Sequence, residues 1–367
     1  MNIGILTQPL VVNYGGILQC FALQHYLESR GHNVIILNRK TKPDVLYRIK
    51  QPIRHIKHIL DGSFKGRLSI NRFIRTSINL SEPIYSSLGL YEAMKDYNLD
   101  GIIVGSDQVW RECYSPNIED FFLGFIPDNY HCFKIAFSAS FGTSDNPISQ
   151  RCLKTCVEYA KKFSAVSVRE DSGRIILRDI FNITAKVTLD PTLILPKYCY
   201  DQLYKHKEKR FNQFVLSYIL DDTCEKNQII EDVTKYYSLP CYNIRYKSKN
   251  NPISIIIPPI EEWLDLFNSA DFIVTDSFHG CVFSIINKKQ FILISNEGRG
   301  LERFLSLLGM LGLLDRLIYS CNDYYQKRSI LSKPIDYATV DRIIEQKQKE
   351  SLEFLNTALH SVEVQES

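Results

Sequence analysis

Short runs of apolar residues alternate along the chain with longer stretches whose apolar positions recur every three or four residues. The first pattern predicts buried strands and the second amphipathic helices; their alternation predicts a parallel sheet covered by helices. Ile3–Leu6 and Val34–Leu37 read as the first two strands, with Ile17, Leu18, Phe21, Leu23, Tyr26 and Leu27 at helical spacing between them. Gly31 stops that helix as a C-cap glycine does, which completes a βαβ unit. Further strands are expected at Gly101–Val104, Phe133–Ser138, Ala165–Val168 and Val187–Leu189. The stretch 42–87 is weaker in pattern, basic and rich in Ile, with Pro43, Pro52 and Pro83 as breaks. It reads either as helical insertions near a substrate or as surface packing.

Pro191 and Pro196, with the polar stretch Lys205–Asn212, mark the domain boundary. The alternation then restarts. Strands are expected at Phe214–Ile219, Cys241–Ile244, Phe272–Thr275 and Phe291–Ile294, and helices at Glu225–Tyr237, Glu261–Asn268, Gly280–Ile286 and Arg303–Leu311. Tyr337–Leu359 is a long helix dense in Glu, Lys and Gln, and Val362–Ser367 are expected to fray. The division is therefore 1–196, 197–335, and a helical segment 336–367 that should pack back on the first domain. A chain of 367 residues agrees with this, because single cores stop growing at roughly 250–300 residues.

Charge narrows the function classes. The net charge of +3 is too close to neutral for a nucleic-acid binder, and no basic stripe runs along the chain. No run approaches the roughly 20 apolar residues of a membrane span, and the opening residues carry no secretory pattern. The expected location is the cytoplasm, with the inner face of the membrane as a permitted place of work. The ten cysteines include no Cys-x-x-Cys pair and read as free thiols packed as small apolar residues. Cys152 and Cys156 lie four apart on an expected helix, yet no neighbouring His or Cys completes a zinc set, so no metal is expected. Aromatic residues make up 12% of the chain, which suits either sugar-stacking surfaces or an aromatic core.

Ligands of open α/β sheets bind beyond the carboxyl ends of the strands, so chemistry is sought in the loops there. Asn13-Tyr14-Gly15-Gly16 precedes the first helix, where paired glycines allow close approach to a ligand at a helix N-terminus; an unliganded tight turn explains it equally. Gly105-Ser106-Asp107-Gln108 offers a hydroxyl, a carboxylate and an amide suited to sugar hydroxyls, or simply a cap for the next helix. Arg169 sits at a strand end with Glu170 and Asp171 beside it and Ser172 placed to cap a helix. Its guanidinium fork suits a carboxylate or phosphate, or else a surface ion pair. Asp276-Ser277-Phe278-His279-Gly280 carries the strongest signal: a histidine in a strand-ending turn, at a helix start, where it can bind an anion or move a proton. Arg299 and Arg303 follow another strand and offer a second cation.

At Asp276-Ser277-Phe278-His279-Gly280 the sequence resembles the polysaccharide pyruvyl transferase family. The resemblance extends over most of the chain. It includes Asn13-Tyr14-Gly15-Gly16 with Leu18-Gln19, Gly105-Ser106-Asp107-Gln108-Val109-Trp110, Val168-Arg169-Glu170 with Ser172, Asp190-Pro191-Thr192 and Glu262-Trp263-Leu264. It implies two Rossmann-like domains of the GT-B type facing a central cleft. It also implies phosphoenolpyruvate as co-substrate, with no separate cofactor, and a sugar acceptor that a lipid-linked oligosaccharide could provide. The family's donor-binding arginine and histidine map onto Arg169 and His279. Glu297 beside Arg299 departs from the family pattern.

In the mechanism this implies, Arg169 clamps one anionic end of the donor and His279 holds the other or protonates the methylene carbon. One acceptor hydroxyl attacks, phosphate leaves, and a second hydroxyl closes a cyclic ketal, with Asp107 or Asp276 positioning the diol or accepting its proton. Two cationic side chains would neutralise the donor without a metal. A nucleotide-sugar glycosyltransferase on the same architecture remains open, with Glu297 or Glu302 available as its ribose-binding carboxylate. So does a non-catalytic sugar-binding subunit of a polysaccharide pathway.

Overall fold

The computed structural model describes residues 1–43, 63–204, 213–245 and 257–366. The linker Lys205–Asn212 and residues 44–62 of the basic stretch lie outside the described residues. Two compact units result. The first joins Met1–Lys42, Ile74–Leu195 and Ile344–Ser367; the second joins Pro43–Phe73 and Pro196–Ile343.

In the first unit a six-stranded sheet has the order β2-β1-β3-β4-β5-β6. Its strands are β1 (Asn2–Leu6), β2 (Asn33–Ile36), β3 (Gly101–Val104), β4 (Phe133–Ala139), β5 (Ala165–Val168) and β6 (Lys186–Val187). Every neighbouring pair is parallel. β3 and β4 are buried along their whole lengths, as expected of strands with helices on both faces. Helix α1 (Tyr14–Ser29) crosses over from β1, and α3 (Ser87–Asp96), α4 (Gln150–Ala160), α5 (Asp171–Ile176) and α6 (Pro191–Ile194) follow in this unit, whereas most of α2 (Phe64–Ser77) and all of α7 (Lys197–Asp201) belong to the second unit. Trp110 stacks on Phe122 and Phe122 on Phe181. Each such ring contributes about 1.5–3 kcal/mol through burial. Trp110 is therefore core and not a sugar platform. Cys152 and Cys156 face the same core from α4, and burial pushes the Cys156 thiol up to about 12, which suits packing and not reactivity.

The second unit repeats the arrangement with a five-stranded sheet, β11-β10-β9-β7-β8, also parallel throughout. Its strands are β7 (Val215–Ile219), β8 (Cys241–Arg245), β9 (Phe272–Thr275), β10 (Gln290–Ile294) and β11 (Leu317–Ile318). The helices are α8 (Cys224–Tyr237), α9 (Ile260–Ser269), α10 (Phe278–Ile286), α11 (Leu301–Leu311) and α12 (Cys321–Gln326). Around Trp263 the rings of Tyr218, Phe267 and Phe283 meet within 5.6 Å of its centroid.

Helix α13 spans Tyr337–Glu366, through the residues expected to fray, and Ser367 lies outside the described residues. Its later part belongs to the first unit: Asn356 accepts from Tyr26, and Ser351 accepts from the Leu189 amide. Among the described residues no helix is long and apolar enough to cross a membrane.

Both sheets are doubly wound, with their first and third strands adjacent and their chain connections leaving in opposite directions. A crevice therefore opens beyond the carboxyl ends of β1 and β3, and another beyond β7 and β9. The loops expected to carry chemistry lie at these two places.

Candidate functional site

In the first unit the loops after β1 and β3 are tied across the crevice. Gln19, on α1, donates to Thr7 Oγ1 and accepts from the Ser106 amide, both at 3.0 Å. Asn13 caps α1, its Oδ1 accepting from the Gly16 amide at 3.2 Å, and Tyr14 and Gly15 are buried in the first turn behind it. Gly105 has φ +123°, and a β-carbon there would lie 2.2 Å from the Phe137 carbonyl oxygen, so only glycine fits. Asp107 follows with φ +73°, a conformation an aspartate tolerates but rarely adopts.

Arg169, at the end of β5, joins this loop. Its Nη2 donates to Asp107 Oδ1 at 3.0 Å and its Nη1 to Asp190 Oδ2 at 2.8 Å, while Glu170 Oε2 lies 3.9 Å from its Nε. The Arg169 side chain is 1% exposed. The neighbouring carboxylates hold the guanidinium above its already high ordinary value against the opposing pull of burial. Both ends of the Arg169 fork grip carboxylates of its own domain. The buried Ser106 hydroxyl lies 3.0 Å from Ser138 O and 3.2 Å from Asp190 Oδ2. Gln108 Oε1 accepts from Arg111 at 2.9 Å. Ser172 makes no cap; Glu170 occupies that position, and its Oε1 accepts from the Phe141 and Gly142 amides at 2.8 and 3.0 Å. Asp107, with a side chain 11% exposed, is the most accessible carboxylate of the cluster.

In the second unit Asp276 is fully buried at the end of β9. Its Oδ1 accepts from the Leu220 amide at 2.6 Å. Its Oδ2 accepts from the Asp221 amide at 3.2 Å, Lys226 Nζ at 2.7 Å and Asn296 Nδ2 at 3.0 Å. A carboxylate so engaged ties the loops after β7, β9 and β10 together. Ser277 caps α10 by accepting from the Gly280 amide, and a β-carbon on Gly280 would lie 2.3 Å from Thr275 Oγ1. This packing fixes His279 in the first turn of α10, where the helix dipole favours an anion. The His279 ring meets Phe278 edge-on at 5.2 Å, and Arg303 lies over the other partner, its guanidinium 5.1 Å from the Phe278 centroid.

Arg299 pairs in a two-point contact with Asp221, Nε to Oδ2 at 2.8 Å and Nη2 to Oδ1 at 2.9 Å. Arg303 is buried and donates to the carbonyls of Arg299 and Gly300. Asp221, Lys226 and Asn296 were not singled out as site residues from sequence. The strand-end rule finds Asp221, directly beyond β7, whereas Lys226 looks like any helix-surface lysine until its partner 50 positions away is known. Among the described residues no cluster of His, Cys, Asp and Glu is arranged to hold a metal.

Solved structures share this fold. UDP-N-acetylglucosamine 2-epimerase from Rickettsia bellii aligns with a TM-score of 0.59 at 10% identity, covering 99% of this chain and 97% of that one. S. aureus MnaA bound to UDP aligns at 0.55 and 11% identity, covering 95% and 90%. The Methanocaldococcus jannaschii UDP-GlcNAc 2-epimerase, in complex with UDP-GlcNAc and UDP, aligns at 0.52 and 14% identity, covering 94% and 99%. Such likeness is one of fold, and the fold is GT-B-like α/β. No curated protein matches the chain. The sequence profile described as polysaccharide pyruvyl transferase matches residues 13–298, from the Asn13 cap to the loop beyond β10, and the chain belongs to the polysaccharide pyruvyl transferase family.

Proposed function

We propose that the chain transfers the pyruvyl group of phosphoenolpyruvate to two hydroxyls of a sugar, forming a cyclic ketal in surface polysaccharide synthesis. The observation that carries this reading is the family match, which spans both crevices and includes the Asp276–Gly280 turn with its histidine held at a helix start. In this reading the anionic donor sits at the N-terminus of α10. His279, as the imidazolium, gives its proton to the methylene carbon. The double bond supplies the electron pair for the new C–H bond and leaves the central carbon electron-poor.

A sugar hydroxyl oxygen then bonds to that carbon, and the hydroxyl proton passes to water. The bond between the central carbon and the phosphate oxygen breaks with its electron pair on phosphate. The second hydroxyl closes the ring and its proton leaves with the phosphate. Within the first unit Arg169 holds Asp107 and Asp190. The acceptor is a sugar, free or carried on a lipid or nucleotide, and the work is done in the cytoplasm, with the inner membrane face as the place where a lipid-borne acceptor would be met. Incubation with phosphoenolpyruvate and a panel of sugars tests this. Phosphate release that depends on both supports it, and turnover of a UDP-sugar in their place supports a glycosyltransferase instead.

A further inference from the structure

The near-neutral total charge conceals an uneven distribution. Residues 42–75 carry nine Lys and Arg against two Asp, a net of +7, so the rest of the chain carries −4 within the total of +3. Helix α2 holds four of these cations, Lys65, Arg67, Arg72 and Arg75, and contains no Asp or Glu. Elsewhere exposed cations are matched by an acid along their own segment: Arg174 by Asp171, Arg178 by Asp179 and Lys347 by Glu350. The sequence of α2 provides no such match.

Packing decides which way this helix faces. A β-carbon on Gly66 would collide with the Ile257 carbonyl oxygen, so that side of α2 lies against backbone of its own unit. Gly66, Ile70 and Phe73 are buried at spacings of four and three, as one face of a helix requires. Lys65, Leu68 and Arg72 fall on the opposite side, within about 60° of one another at 3.6 residues per turn. All three are exposed, Leu68 by 52%. Arg75, also exposed, is next in the row along the same helix, and half-buried Phe64 precedes Leu68 by one turn. Cations grouped about a leucine match a surface that is anionic with apolar matter just beneath it, which describes a phospholipid bilayer. Nucleic-acid phosphates would satisfy the cations and leave Leu68 in water.

We infer that the exposed face of α2 docks on an anionic phospholipid surface, Lys65 and Arg72 against headgroup phosphates and Leu68 at the acyl boundary. One leucine and a few cations make such docking weak, reversible and sensitive to salt. The inference does not rest on the pyruvyl-transfer reading. Under that reading it brings the protein to the surface where a lipid-borne acceptor is met.

The test is co-sedimentation of the full chain with vesicles of phosphatidylcholine, alone or with about one third phosphatidylglycerol. Wild type is expected to favour the anionic vesicles about tenfold or more at low salt, and to leave them in about 0.5 M salt. Lys65→Glu with Arg72→Glu should lower that binding about tenfold, and Leu68→Ser about threefold. Lys161→Glu with Arg178→Glu removes the same charge at exposed positions elsewhere and should change it less than about twofold. Circular dichroism checks the fold; should the double reversal not fold, Lys65→Gln with Arg72→Gln replaces it. Equal binding to both kinds of vesicle, binding to neither, an equal loss in the Lys161 and Arg178 control, or binding undiminished by Leu68→Ser overturns the inference. Tighter binding to duplex DNA than to the anionic vesicles overturns lipid as the occupant. Vesicle binding is read without turnover, so a wild type that releases no phosphate fails the transfer reading alone.

Discussion

Lys226 and Asp276 meet at 2.7 Å across 50 positions of sequence, the ammonium 11% exposed and the carboxylate not exposed at all. Through this contact the start of α8 is fastened to the turn that carries His279. With Asn296 also on Asp276 Oδ2 and Arg299 on Asp221, the loops after β7, β9 and β10 form one hydrogen-bonded body. Removing one member of a buried pair leaves the other without compensation, at about 3–5 kcal/mol. Asp276→Ala is therefore expected to lose about 3 kcal/mol or more in urea unfolding. An unchanged midpoint would show that the loops hold without it.

Asp221 gives a dependence on pH. The Arg299 hydrogen bonds, helped by Asn296 and opposed by burial, hold its carboxyl at about 2. Because the folded value lies below the roughly 3.9 of an unfolded aspartate, the contribution is present above that pH and disappears as pH falls towards 2. The pair is nearly half exposed, so the contribution is small and screened by salt. Wild type should exceed Asp221→Asn in unfolding midpoint at pH 6, and the gap should close by pH 2 and narrow in 1 M salt. A gap that widened in acid would reverse the assigned sign.

Gly105→Ala forces a β-carbon to within 2.2 Å of the Phe137 carbonyl oxygen at a backbone angle that side chains rarely adopt. The loop bearing Asp107 must shift, at a cost of about 2 kcal/mol or more. The expected result is a lower melting temperature together with lost turnover. Normal stability and activity would mean that the loop has slack its packing does not reveal.

His279→Ala keeps the Ser277 cap and the Gly280 packing, so the fold should survive, with circular dichroism and melting close to wild type. Loss of the proton donor should lower kcat for phosphate release about 100-fold or more. Retention of full turnover would remove His279 from the chemistry.

Much of the architecture was legible because buried parallel strands are short uninterrupted apolar runs. Gly101–Val104, Ala165–Val168 and Phe272–Thr275 were read with the bounds the structure gives them. β11, only Leu317–Ile318, is too short to stand out from its surroundings. β6 lies at Lys186–Val187 and not at Val187–Leu189; the Ser138 hydroxyl bonds the Thr188 hydroxyl and the Leu189 carbonyl just beyond it. Strand-end reasoning placed Asp107, Arg169, Asp276 and His279 at the two crevices. It could not tell a side chain that faces a ligand from one that faces a partner in its own domain. Arg169 and Asp276 each have a partner within their own domain, Asp190 and Lys226, from segments 21 and 50 positions away. Composition and local spacing carry no record of such pairings.

The central claim is pyruvyl transfer, and mass spectrometry of a candidate glycan after reaction with phosphoenolpyruvate tests it most directly. The expected product is the glycan heavier by one pyruvate less one water, formed alongside one phosphate and absent with His279→Ala. A glycan left unchanged by phosphoenolpyruvate across the acceptor panel, yet lengthened by a sugar when a UDP-sugar is supplied, would contradict the claim.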